Sequence, residues 1–81
     1  DFFRAMMDHC DMNSTKLEGA HLAETSMTFA ILTHATLNRA NIHQANMSHA
    51  NLFKAVLGNV YLDKAASIDG ATLPNGRIQG E

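Results

Sequence analysis

Large apolar residues fall in strict steps of five, and this spacing limits the possible folds more than any other feature of the sequence. They stand at Phe2, Met7, Met12, Leu17, Leu22, Met27, Leu32, Leu37, Ile42, Met47, Leu52, Leu57 and Leu62. Two residues before each of them sits a smaller one, running Ala5, Cys10, Thr15, Ala20, Thr25, Ala30, Ala35, Ala40, Ala45, Ala50 and Ala55, then the larger Val60. The frame slips by one residue at Ala65-Ala66 and resumes as Ala66-Ser67-Ile68, Ala71-Thr72-Leu73 and Gly76-Arg77-Ile78. A helix does not account for this pattern. At about 100° per residue, a step of five rotates the side chain by about 140° and smears the stripe around the axis. Heptad spacing is absent as well, which removes a coiled coil.

Extended backbone accounts for more of it. Side chains two apart point to the same side of an extended backbone, so the small and large residues of each unit face inward together. Five is odd, however, and a flat strand would flip sides at every repeat. The backbone therefore has to bend once per unit, and bending the same way every five residues closes it into stacked coils. The small residue allows a turn in a narrow interior, and the large one fills that interior.

The units Ala40-Asn41-Ile42-His43-Gln44, Ala45-Asn46-Met47-Ser48-His49 and Ala50-Asn51-Leu52-Phe53-Lys54 resemble the A-(D/N)-L-x-x motif of the pentapeptide-repeat family. The resemblance runs over essentially the whole sequence. It implies an all-β fold, a right-handed quadrilateral β-helix with four units per coil and so about four coils here, roughly 20 Å long at about 4.8 Å per coil. Four inward columns follow from that closure. They are Phe2, Leu22, Ile42, Leu62; Met7, Met27, Met47, Ile68; Met12, Leu32, Leu52, Leu73; and Leu17, Leu37, Leu57, Ile78. The sequence departs from the motif at His21, Ser26, Ile31, Thr36, Val56 and Tyr61, which stand where Asp or Asn is usual. Residues 1–81 are expected to form a single domain, with regular repeats over 1–65. With Gly70, Pro74, Gly76 and Gly80, residues 66–81 are expected to form a frame-shifted final coil or a C-terminal cap, since proline lacks the amide a ladder needs. Phe2 is already a core position, so the first coil is expected to present an open edge, covered by preceding residues or by a partner.

Composition narrows the function. The 81 residues carry six Lys+Arg against eight Asp+Glu, a net charge of −2, which fits neither a strongly basic nucleic-acid binder nor a strongly acidic decoy. No apolar run approaches the ~20 residues needed to span a bilayer, and no basic segment followed by an apolar stretch marks a signal peptide, so the compartment stays unread. One cysteine excludes an internal disulfide framework. Cys10, at a small inward position, is expected to be a buried thiol used as a small hydrophobe.

Catalytic machinery is not expected, and neither is a cofactor. His9, His21, His34, His43 and His49 all take outward places. A metal ion needs ligands within about 2 Å, whereas His9 and His49 share a column with Phe29 between them. No phosphate-binding glycine loop or nucleophile elbow is present. Arg4, Glu24, Gln44 and Lys64 form one outward column, expected to act as a register-supporting ladder. The outward apolar residues are Phe3, Met6, Phe29, Ile31, Phe53, Val56 and Tyr61. Among them Phe29, Ile31 and Phe53, rimmed by His34 and Lys54, are the candidate partner-binding patch.

The expected role is a non-catalytic structural or protein–protein interaction module, part of a larger pentapeptide-repeat protein. Its partners are expected to be another protein or flanking domains of the same polypeptide. End-to-end association with other copies is a further expectation, without membrane insertion or direct nucleic-acid binding. The alternative is a DNA mimic that inhibits a type II topoisomerase, as the family includes such inhibitors of gyrase. Short length and weak charge disfavour it, because duplex DNA carries one charge per about 1.7 Å.

Overall fold

The computed structural model describes residues 2–58, 60, 65 and 67–80. Each five-residue unit from Met6 to Ala55 consists of one turn and one short bridge. The bridges Met6↔Ser26, Asp11↔Ile31, Lys16↔Thr36 and His21↔Asn41 are parallel and separated by 20 residues, and Ser26↔Asn46, Ile31↔Asn51 and Thr36↔Val56 repeat that separation one coil on. Twenty residues therefore make one coil of four units. Farther along, Asn46↔Ser67 and Asn51↔Thr72 are separated by 21 residues, so one residue is inserted between Val56 and Ser67. Ala65 is half-buried against the core, and Ala66 lies outside the described residues.

Backbone hydrogen bonds show how a unit closes. In the unit around Met27, the Met27 amide donates to Asn46 O (2.7 Å) and the Phe29 amide to Ser48 O (3.0 Å), both on the next coil. The Ala30 amide closes the turn onto Met27 O (3.1 Å), and the Ile31 amide reaches the preceding coil at Cys10 O (2.9 Å). Four of the five amides are thus paired by backbone, and only the residue after the large one is left over.

The turns run from the large residue to the next small one, with positive φ at the third place. Arg4, His9, Ser14, Glu24, Phe29, His34, Arg39, Gln44, His49 and Lys54 all have φ between 59° and 64°. This is the φ signature of a type II turn. A left-handed conformation costs an L-residue roughly 1–2 kcal/mol, and bulky β-branched residues suffer most. The sequence accordingly has no Val, Ile or Thr at these places.

The interior follows the inward frame through the middle of the protein. Leu22, Met27, Leu32, Leu37, Ile42, Met47 and Leu52 are buried, with Ala30, Ala35, Ala45 and Ala50 fully enclosed beside them. Thr25 occupies a small position and satisfies its hydroxyl by donating to Leu22 O (2.8 Å), while Thr15 does the same to Met12 O (2.8 Å). Met7, Met12, Leu17, Leu57 and Ile68 are half-buried against this core.

Three expectations need correction. Phe2 is 42% exposed, because its coil is covered from one side only. Cys10 is exposed rather than buried, on that same coil. Ile78 is 40% exposed and does not continue the fourth column. After Leu73 the backbone reverses into a hairpin in which Ile78 bridges Thr72 antiparallel, the Leu73 amide donates to Arg77 O (2.6 Å), and the Gln79 amide donates to Ala71 O (2.8 Å). The spacing of Gly76-Arg77-Ile78 imitates a repeat, but the backbone has already turned back. Leu73 is half-buried. Leu62, expected in the core, lies outside the described residues.

Candidate functional site

Every outward place follows from position in the unit. The residue after the large one carries the amide left unpaired by backbone, and the place two residues earlier answers it. Asn41 Oδ1 accepts from the His43 amide (3.0 Å), Asn46 Oδ1 from Ser48 (3.1 Å), Asn51 Oδ1 from Phe53 (3.0 Å) and Asp11 Oδ1 from Asn13 (3.1 Å). This is the physical reason for Asp or Asn at that place: the short side chain folds back onto the amide two residues on. Ser67 Oγ makes a longer version to the Asp69 amide (3.3 Å).

In the Ser26 unit, Asp8 of the preceding coil serves the leftover amide instead. Asp8 Oδ1 accepts from the Ser26 hydroxyl (2.6 Å), the Thr28 hydroxyl (2.6 Å) and the Thr28 amide (2.9 Å). The Ser26 hydroxyl first, then that of Thr28, holds the Asp8 carboxyl below the ordinary carboxylate value by favouring its charged form. Thr33 and Asn13 join the same two coils through a bond between their side-chain oxygens.

Phe29, Ile31, Phe53 and Val56 are all exposed, and Phe29 also makes ring contacts along its own column. Its ring is stacked between His9 (centroids 5.1 Å apart, 2° between planes) and His49 (4.8 Å, 13°). Gly70 continues the column with φ +71, where a Cβ would stand 2.5 Å from His49 Nδ1, so the missing side chain makes room for the imidazole. Spacing alone carried this signal: residues 9, 29 and 49 share a column, and parallel rings need about the separation the coils provide. Among the described residues no group of three His, Cys, Asp or Glu is placed to hold a metal ion.

Around the neighbouring corner, Ile31 bridges Asn51, Phe53 follows two residues on, and Val56 lies on the next side of that coil. Lys54 Nζ lies 5.4 Å from the Phe53 ring centre, and the His34 amide donates to Phe53 O (3.0 Å). His34 and Lys54 are exposed. Ile31, Phe53, His34 and Lys54 thus stand on two neighbouring coils around one corner, with Val56 on the adjoining side and Phe29 at the preceding corner, two residues before Ile31. In the Arg4 column, Arg4 Nε pairs with Glu24 Oε1 (3.1 Å), Gln44 follows on the next coil, and Lys64 lies outside the described residues. The Arg4–Glu24 pair is exposed on both sides and adds little stability. Tyr61 also lies outside the described residues.

Two hollows formed by described residues gather no reactive groups. One of about 670 Å³, beside the hairpin, is lined by Leu73, Arg77, Ile78, Gln79 and Gly80. A second of about 300 Å³ is lined by Glu18, Asn38, Arg39 and Gly58. Neither sets a nucleophile beside a base. Among the described residues no helix is long and apolar enough to cross a membrane.

Together these features define a coiled repeat protein with a filled interior and variable outward places. The profile of pentapeptide repeats matches residues 10–48 and 30–66, in eight copies. The protein belongs to the pentapeptide-repeat family. No curated protein and no solved structure matches it.

Proposed function

We propose that this protein is a non-catalytic protein–protein interaction module, built on a right-handed quadrilateral β-helix and acting as a segment of a larger pentapeptide-repeat protein. The observation that carries the reading is the surface of Ile31, Phe53 and Val56. These are three large apolar side chains left exposed around one corner. A patch of this kind, rimmed by His34 and Lys54, suits a partner with an apolar centre and an acidic edge. The end carrying exposed Phe2, Phe3 and Met6 is a second contact surface, for the end of another coil.

The test is quantitative affinity capture with the wild-type protein and with Ile31→Lys/Phe53→Glu. A protein retained by the wild type and lost by the double variant, with melting unchanged, supports the reading. Equal capture by both, or by neither, defeats it. The DNA-mimic alternative lacks charge: over the longest dimension of 31 Å, duplex DNA carries roughly 18 charges, against a net −2 here. Gyrase supercoiling unaffected at micromolar protein is the expected result.

A further inference from the structure

Asn75-Gly76 is the only place in the sequence where asparagine is followed by glycine, and it lies at the tip of the C-terminal hairpin. Both residues are exposed. We propose that it is a site of spontaneous deamidation, and that its conversion to isoaspartate opens the hairpin. The reaction needs no partner but water. The Gly76 backbone nitrogen attacks Asn75 Cγ, and the bond from Cγ to Nδ2 breaks. The backbone amide proton leaves with Nδ2 as ammonia, giving a succinimide ring. Water then splits that ring at either carbonyl. Attack at the backbone carbonyl leaves Gly76 joined to Cγ, which is isoaspartate; attack at Cγ restores a normal backbone as aspartate.

The geometry selects this asparagine over Asn41, Asn46 and Asn51. Asn75 Oδ1 accepts from the Arg77 amide (3.0 Å), which draws electron density from Cγ. Asn41, Asn46 and Asn51 make the same bond, but the nitrogen that would attack belongs to a buried residue, and after Asn46 and Asn51 it is held between coils. The Met47 amide donates to Ser67 O (2.8 Å) and the Leu52 amide to Thr72 O (2.8 Å), and Ile42, Met47 and Leu52 are buried. Among the described residues the Gly76 amide is held only by the turn bond to Leu73 O (2.8 Å). Gly76 also has no side chain to obstruct ring closure, and its φ of +89° already lies where other residues are strained.

Isoaspartate adds one backbone atom to the turn and converts a neutral side chain into a carboxylate. The bonds from Leu73 to Arg77 and from Gln79 to Ala71 depend on the register of that turn. Phe53 is also affected, because a Cβ on Gly76 would stand 3.4 Å from its Cε1. The modification therefore reaches the apolar corner as well as the hairpin.

The experiment ages the full-length protein at mildly alkaline pH and follows it by peptide mapping and isoaspartyl methylation, beside the free peptide covering 72–79. Isoaspartate is expected at Asn75, forming about two- to tenfold more slowly than in the peptide, the factor for opening one exposed hydrogen bond. Asn41, Asn46 and Asn51 should stay intact, and Asn75→Gln should abolish the signal. In the purified isoaspartyl form, hydrogen exchange at the Leu73 and Gln79 amides should quicken while Met27 and Leu32 keep their protection. An unmodified Asn75 in the protein when the free peptide converts, or equal conversion at Asn51, overturns the site. Unchanged exchange at Leu73 and Gln79 overturns the opening of the hairpin.

Discussion

Leu32→Ala and Phe2→Ala separate inward placement from real burial. Both residues stand in the five-residue frame, and phenylalanine is the larger side chain. By size alone Phe2→Ala is the more damaging change. Leu32, however, is fully enclosed with a coil on either side, while Phe2 is 42% exposed. Removing a buried leucine loses its transfer energy and leaves a cavity the coils cannot close, a cost of about 3–5 kcal/mol. Removing Phe2 loses only the buried part of its side chain and leaves a notch that water fills, about 1.5 kcal/mol. A protein of this length has a total stability of roughly 4–12 kcal/mol. Leu32→Ala should therefore lower the melting temperature by about 12–40 °C, and Phe2→Ala by no more than about 12 °C. Urea unfolding followed by far-ultraviolet circular dichroism gives the same comparison without extrapolating in temperature. Equal losses, or a larger loss for Phe2→Ala, would refute the reasoning: the end coil would then be as enclosed as the middle.

Three further outcomes test the turns. Asn51→Ala removes the acceptor of the Phe53 amide and should cost about 1 kcal/mol by urea titration, whereas a change under about 0.2 kcal/mol would mean water replaces the side chain fully. Gln44→Val places a β-branched residue at φ +62° and should destabilise by about 1–2 kcal/mol, while Gln44→Gly should be neutral or better; equal melting of the two variants would contradict the strain. Asp8 has a folded pKa depressed below its ordinary 3.8, so its contribution is complete above that value and fades as pH falls through the folded one. Asp8→Ala should accordingly flatten the loss of stability below about pH 4, and an unchanged acid profile would remove the hydroxyl cradle from the account.

The middle of the fold was legible because burial there depends only on period. Leu22 to Leu52 each have a coil on either side, so the inward frame and actual enclosure coincide. At Phe2, Cys10 and Ile78 they part, since a spacing rule carries no information about which units have neighbours. Gly76-Arg77-Ile78 kept the spacing while the backbone reversed. The preference for Asn and Asp was visible as a motif, but its cause lies in a leftover amide seen only once the turn bonds are counted. The His9–Phe29–His49 stack was missed for a different reason. Histidines in one column prompt a search for converging metal ligands, whereas ring stacking asks only for the spacing every coil has.

The leftover amide also says which outward residues the fold would not choose. Ile31, Thr36 and Val56 stand where Asn would serve the amides of Thr33, Asn38 and Gly58, and among the described residues those amides have no acceptor. Thr36 has its hydroxyl buried without a partner, and Ile31 and Val56 are exposed. None gives the turn the bond that Asn41, Asn46 and Asn51 supply. Val56→Asn makes this testable. Val56 is 49% exposed, so the change loses about 1 kcal/mol of burial and gains about 1 kcal/mol from the new bond to Gly58. Net stability should stay within about 1 kcal/mol of the wild type. The interaction at the Ile31–Phe53–Val56 corner should weaken at least tenfold, because an amide replaces the apolar contact at a cost of about 1.4 kcal/mol or more. That split, with stability held and binding lost, is expected of residues kept for a surface rather than for the coil. If Val56→Asn instead unfolds the protein, valine packs in a way its exposure does not reveal. If it leaves partner capture unchanged, this corner is not the contact.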